Sequence, residues 1–334
     1  MRIALDAMGG DSAPEVEIEG ALSAAPGLNG HEVILVGDEA RITRAAAKFK
    51  GIPRGVSVRH ASQVVTMHDR PVEAMRSKPD SSIARCIELM AKGEADAVVS
   101  AGNTGAVVAL ATFKLGLLEG VKRPGIGVSM PTRKGDHTLV IDCGANVNCA
   151  PEHLLHYAVM ASAYARHVYG RRHPRVGLLN IGEETIKGNR LVKHAAKLLE
   201  VSDLNYIGYV EGRDIFSGEA DVVVCEGFVG NVLLKVSEGL AETIMGMMKD
   251  AIRRTLRRRI GAMLCRFAML ELKAKMDYAE FGGAPLLGVN GSVTICHGGS
   301  ESRAIAAALR VAAQAAEHKV NQHIVADLRG RQAS

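Results

Sequence analysis

Short apolar runs recur along the chain, and most end in a glycine or a polar residue. Runs of this length, closed by turn residues, predict strands at 2–6, 32–37, 56–60, 97–100, 125–130, 138–142, 175–180, 205–210, 220–225 and 292–296. Between them the apolar positions fall at helical spacing, notably over 103–117, 151–169, 187–200, 229–250 and 301–327. Pro151 ahead of one such stripe suits the first turn of a helix, where its fixed φ costs nothing. Strand–helix alternation predicts a largely parallel sheet with helices on both faces, an α/β fold. No low-complexity linker divides the chain, so residues 1–334 read as a single α/β catalytic unit. One internal echo stands out: residues 95–105 parallel residues 220–230, each with an Ala-Asp start, a buried strand, a Gly-x-x-Gly turn and a helix. Duplication would give two matched half-sites facing one cleft; convergence of two strand–helix turns is the alternative.

Composition narrows the class. The chain is 47% hydrophobic and 23% charged, with 36 glycines, no tryptophan and few aromatics, which fits a Val/Ile/Leu/Ala core cut by turns. Six cysteines form no CxxC pair and no zinc-type cluster, so they read as buried or incidental thiols of a reducing cytosol. Asp6 interrupts the N-terminal apolar run, so no signal peptide is read, and glycine and polar residues break the longer uncharged stretches. The net charge of +5 is local: residues 249–275 carry +7 and the rest of the chain −2. That distribution argues against a nucleic-acid-coating protein and for one anionic partner.

Ligands on open α/β sheets bind beyond the carboxyl ends of the strands, so the turns there hold the candidate chemistry. Three are glycine-rich and open helices: Ser100-Ala101-Gly102-Asn103-Thr104-Gly105, Glu226-Gly227-Phe228-Val229-Gly230-Asn231 and His297-Gly298-Gly299-Ser300. Glycines permit close backbone approach, and a helix start presents N–H groups to an anion. None is a Walker loop or a dinucleotide fingerprint. Two further turns are polar: Asp142-Cys143-Gly144-Ala145-Asn146, and residues 182–189 with Lys187 near a helix start. A cation is mildly unfavourable there unless an anion joins it.

At this point the sequence resembles the phosphate acyltransferase family, the acyl-ACP:phosphate transacylases. The resemblance is carried by the opening Met1-Arg2-Ile3-Ala4-Leu5-Asp6-Ala7-Met8-Gly9-Gly10-Asp11, by residues 100–106, by 142–146, and by Gly177-Leu178-Leu179-Asn180. Lys187-Gly188-Asn189, Gly227-Phe228-Val229-Gly230-Asn231 and Phe281-Gly282-Gly283-Ala284 extend it almost to the end of the chain. It implies a three-layer α/β/α sandwich of the isocitrate/isopropylmalate dehydrogenase type, shared with phosphotransacetylases. It also implies a homodimer without metal. Catalysis would fall on Lys187 and Asn231. Gly102, Asn103, Thr104, Gly105 and Gly230 would hold phosphate, with Asp142, Asn146 and His297 as further cleft residues. The sequence departs from the family pattern at Cys143, Arg190, Glu226 and Val229; the last has no hydroxyl to offer a phosphate.

No Ser-His-Asp or Cys-His arrangement is legible, and acyl transfer to phosphate needs none. Phosphate is itself a nucleophile, so positioning and oxyanion stabilisation suffice. The implied donor is acyl carrier protein, the acceptor is inorganic phosphate, and the product passes to a downstream glycerol-3-phosphate acyltransferase. A short-chain acyl-CoA phosphate transacylase, a metal-dependent dehydrogenase on the same fold and a non-catalytic membrane scaffold are the competing readings.

The basic stretch lies within a predicted protruding helical segment, 235–278. Ile252, Leu256, Ile260, Met263, Phe267 and Leu270 recur at steps of three and four, and Gly261 is expected to mark a bend or hairpin tip. Arg253, Arg254, Arg257, Arg258, Arg259 and Arg266 flank that stripe. The pattern suits a helix lying on an anionic bilayer or an acidic carrier protein, and equally a dimer or core helix with a solvated basic face. The resemblance implies the first: a cytoplasmic enzyme at the inner face of the cell membrane.

Overall fold

The computed structural model describes residues 1–28, 30–49, 51–276 and 282–332. Phe281 and the last two residues of the 235–278 segment lie outside them.

The strands are β1 (Arg2–Asp6), β2 (Glu32–Gly37), β3 (Val56–His60), β4 (Ala97–Ser100), β5 (Gly125–Pro131), β6 (His137–Ile141), β7 (Val176–Leu179), β8 (Tyr206–Val210), β9 (Val222–Val224), β10 (Ala284–Leu287) and β11 (Ser292–Ile295). The helices of the first half are α1 (Glu15–Ala24), α2 (Glu39–Ala46), α3 (Pro71–Ser77), α4 (Ser82–Ala91) and α5 (Thr104–Leu115). Those following are α6 (Pro151–His167), α7 (Arg190–Glu200), α8 (Gly227–Arg253), α9 (Leu256–Leu264), α10 (Arg266–Met276), α11 (Ser302–Glu317) and α12 (Val320–Gln332). All ten strands expected from the apolar runs form, within two residues at each end. β10 escaped that reading because its four residues carry a proline and sit among glycines.

The strands make one sheet in the order β3-β2-β1-β4-β11-β10-β5-β6-β9-β7-β8. Neighbours are parallel except at β11–β10, β10–β5 and β5–β6. Alternating side chains split the core between the two faces. Ile3, Leu5, Val33, Leu35, Ala97 and Val99 pack under α1, α2 and α11, while Leu139, Ile141, Val222 and Val224 pack under α6, α7 and α12. On the other face Ala4, Ile34, Val98 and Val293 meet α4 and α5, while Val140 and Val223 share the layer with Ile215, Leu233 and Leu234. This is a three-layer α/β/α sandwich.

The three antiparallel pairings divide the sheet into two halves that run in opposite directions. A two-fold axis between β10 and β5 exchanges β10 with β5, β11 with β6, β4 with β9, β1 with β7 and β2 with β8, and reverses each direction. The sequence echo falls on an exchanged pair, β4 and β9, so strand order and direction support duplication. They also correct the expected geometry. The C-terminal ends of β4 and β9 leave the sheet at opposite edges rather than facing one cleft.

Two further expectations change. Residues 301–327 form two helices, α11 and α12, broken at Lys319, whose φ is 49°. Gly261 lies inside α9; the breaks fall at Thr255, whose side chain accepts from Arg258 N, and at Cys265. Threonine caps a helix start with its hydroxyl, a stronger local signal than one glycine.

Candidate active site

At the first edge, three turns knit together. Asp6 ends β1 and is buried; its carboxylate accepts from Met8 N at 3.2 Å and from Ser100 Oγ at 2.7 Å. Gly102 N donates to the same Ser100 Oγ at 3.0 Å. A Cβ on Gly9 would lie 2.6 Å from Asp6 Oδ2 and 2.7 Å from Gly102 N, so only glycine lets the two turns touch. Gly10 N donates to Glu17 Oε1 at 3.1 Å, and Asp11 N to Gly298 O at 2.9 Å. Burial raises the Asp6 carboxyl and pushes Glu17 up to about 7. Glu17 Oε2 has no partner among the described residues.

The predicted residues at this edge differ in what they leave available. Asn103 caps α5, accepting from Ala106 N at 3.1 Å. Its amide donates to the carbonyls of Thr66 at 3.2 Å and Asp69 at 3.1 Å, so the side chain ties down the 66–69 loop rather than facing a ligand. Thr104 and Gly105 are exposed at the helix start. His297 is exposed, and its Nδ1 accepts from Gly299 N at 3.1 Å, which places the neutral ring's proton on Nε2.

At the second edge, β6, β9 and β7 are neighbours, so their C-terminal turns stand side by side. Asp142 is fully buried. Its Oδ1 accepts from the backbone N–H of Ile126, Gly144 and Ala145 at 3.0, 3.1 and 2.9 Å, and its Oδ2 from Asn146 N at 2.8 Å. Burial raises its pKa while these donors pull it down, and a set made only of donors suits the ionised form. The Asn146 amide reaches Pro124 O at 2.6 Å and Tyr157 OH at 2.9 Å. Asp142 and Asn146, expected as cleft residues, therefore brace the turn from beneath.

The first turn of α8 presses onto that brace. Gly227 N donates to Asn146 O at 2.9 Å, and a methyl group on Gly230 would overlap the Asp142 carbonyl. The expected phosphate cradle at this helix start is already filled. The Glu226 carboxylate accepts from Phe228 N at 2.7 Å and Val229 N at 3.1 Å, and Gly230 N donates to Glu226 O. An anion at these N–H groups would compete with the helix's own cap.

Asn231 and Lys187 stand apart from these braces. Asn231 is exposed beside Gly144, whose φ is +125°, and among the described residues its amide has no partner. Lys187 is exposed between β7 and α7 and makes no ion pair among the described residues. The loop that carries it is pinned at both ends: Asn180 Nδ2 donates to Gly182 O at 3.0 Å, and Asn189 caps α7 by accepting from Val192 N at 2.9 Å. The fold thus brings Lys187 and Asn231 to adjacent turns of one edge and leaves residues 102–105 and His297 at the other. No group of three or more His, Cys, Asp or Glu among the described residues could hold a metal ion.

Asp6, Glu17 and the Glu226 cap were not singled out from the sequence. Asp6 was within reach, since it ends an apolar run ahead of a Gly-Gly pair. Glu17 looks like any first-turn helix acid.

The fold and its polar turns define a class. A phosphotransacetylase from Streptococcus pyogenes superposes with a TM-score of 0.61 at 18% identity, covering 95% of this chain and 94% of that one. A 4-hydroxythreonine-4-phosphate dehydrogenase structure from Salmonella typhimurium gives a TM-score of 0.54 at 15% identity, covering 94% and 98%. The architecture is thus one that phosphotransacylases share with dehydrogenases. Residues 1–323 match the model of a family described as fatty acid synthesis protein. A phosphate acyltransferase from Geotalea uraniireducens is 52% identical over 98% of this chain and 94% of its own length, and one from Geobacter sulfurreducens is 49% identical over 97% and 93%. The chain belongs to the phosphate acyltransferase family and is an acyltransferase.

Proposed function

We propose that the chain transfers a fatty acyl group from acyl carrier protein to inorganic phosphate, with Lys187 and Asn231 carrying the step. The observation behind this is that both side chains are exposed, without a partner among the described residues, and on neighbouring turns of one edge. The Lys187 ammonium holds the phosphate. A phosphate oxygen attacks the thioester carbonyl, and the Asn231 amide N–H donates to the oxyanion that forms. Collapse breaks the C–S bond, the carrier leaves as a thiolate that takes a proton from water, and an acyl phosphate remains. Asp142, Asn146 and Gly230 hold the turn that presents Asn231. Thr104 and Gly105 open a second anion-accepting helix start at the opposite edge.

The partners follow from the same reading. The donor is acyl carrier protein, and the product goes to a glycerol-3-phosphate acyltransferase of phospholipid synthesis. Two copies associate through the exposed apolar stripe of α8. The Arg-flanked α9–α10 tip rests on an anionic membrane surface at the inner face of the cell membrane; no described helix is long and apolar enough to cross one.

The test is phosphate-dependent release of carrier thiol from long-chain acyl carrier protein, with the acyl phosphate trapped. Lys187→Ala and Asn231→Ala should each lower turnover by roughly 100-fold or more while remaining folded. Full activity in either variant removes that residue from the mechanism. Faster turnover of acetyl-CoA than of the long-chain donor would favour the short-chain transacylase reading.

A further inference from the structure

Five large apolar side chains are exposed on the turns that carry Lys187 and Asn231 and on the turn beside them. Ile181 is 82% exposed, Ile186 77%, Val147 62%, Phe228 59% and Val229 42%. They come from three separate turns, those after β6, β9 and β7, which the strand order places side by side. Single exposed apolar residues are ordinary, but a cluster around unpartnered polar groups marks a binding surface. The folding of these turns does not call for them. The 180–189 loop is pinned by Asn180 and Asn189, and the α8 turn by Gly227, Gly230 and Glu226. None of the hydrogen bonds that hold these turns involves one of the five apolar side chains.

We infer that this rim seats the alkyl chain of the acyl donor, in particular the carbons nearest the carbonyl, and so sets chain-length preference. The inference rests on the reading of Lys187 and Asn231 given above. If the thioester carbon is to meet a phosphate held by Lys187 and an amide at Asn231, the first methylenes must lie on whatever borders those two groups. The three turns gathered at that end of the sheet carry Val147, Ile181, Ile186, Phe228 and Val229. A second copy of the chain or a bilayer seated on the same patch would cover Lys187 and Asn231 and shut out both substrates, whereas an alkyl chain leaves them open to phosphate.

Alkylphosphonates from butyl to dodecyl are suitable probes, with binding followed by calorimetry and no turnover required. The unsubstituted protein should bind each longer homologue about two- to fourfold more tightly per methylene over the first carbons added. I181N/I186N/F228S should flatten that gradient to less than about 1.5-fold per methylene. Val201, which is 84% exposed at the end of α7, provides the control; V201N should leave the gradient intact. An unchanged gradient in the triple variant overturns the inference, as does a triple variant that changes only the mass in light scattering, which would make the patch a contact between copies. The functional reading is tested separately by turnover of acyl carrier protein donors. Absence of acyl phosphate from every donor removes that reading even where the binding gradient stands.

Discussion

Asn103, Asn146 and Asn231 show how little a residue type says about its task. All three follow or occupy a glycine-containing turn, yet Asn103 binds the 66–69 loop, Asn146 binds Pro124 O and Tyr157 OH, and of the three Asn231 alone keeps an amide without a partner among the described residues. Sequence spacing marks the turns; it does not say which amide is already occupied. Glu17 carries a further consequence at this scale. Its ordinary pKa of 4.5 is raised to about 7 by burial, so the folded state binds a proton more readily than the unfolded chain between those values. The stability this confers is fully present below pH 4.5 and is lost as pH rises through 7. The wild-type protein should lose about 3 kcal/mol from this group between pH 4.5 and 8, read by urea unfolding, whereas E17Q should show a correspondingly flatter profile. Equal profiles would show that Glu17 does not titrate in this range.

α8 is the element in which local rules and packing part company. Its start obeys local chemistry, since the Glu226 side chain caps it, yet Gly227 and Gly230 are its buried residues, Leu233 and Leu234 pack partly against the core, and most of the rest is exposed. Two glycines of this helix should therefore answer alanine oppositely. Gly230→Ala drives a methyl group into the Asp142 carbonyl and should cost about 1–3 kcal/mol. Gly239→Ala meets nothing within 4 Å and should stabilise by roughly 0.5–1 kcal/mol. Urea midpoints of the two variants decide it. Beyond α8 the chain turns back through α9 and α10. Arg258 and Arg259 donate to Ala251 O and Arg253 O, closing the C-terminus of α8, while Arg266 stacks over the Phe267 ring at 4.6 Å. Arg254 and Arg257 are exposed without such partners among the described residues and carry the surface charge. R254Q/R257Q should bind anionic vesicles roughly 30-fold more weakly than the parent at low salt and leave the weak binding to neutral vesicles unchanged. Equal binding to both vesicle types in the parent protein would remove the membrane from the proposed partners.

At the scale of the whole molecule the unpartnered face of α8 matters most. Val236, Leu240, Ile244 and Met247 are each about half exposed or more and recur at steps of three and four. An apolar stripe of that length is the natural contact for a second copy. Light scattering should report a dimer of the 35.4 kDa chain, and V236E/L240E should yield folded monomers. A monomeric parent protein would leave the stripe to another partner.

Much of the fold was written in the order of residues. Apolar runs ended by turn residues marked ten strands, because strand burial and helix amphipathicity are periodic along the chain. The same local order exposed the repeat at 95–105 and 220–230 and the polar turns that hold Asn231 and Lys187. The sequence could not settle which turns share an edge. That depends on three antiparallel pairings around β10, a strand too short and irregular to be read. Those pairings reverse one half of the sheet, setting β4 and β9 at opposite edges while gathering the turns of β6, β9 and β7. Which polar groups are already occupied was likewise a tertiary matter. Hydrogen-bond partners such as Thr66 for Asn103 or Tyr157 for Asn146 come from elements that only the folded chain brings within reach.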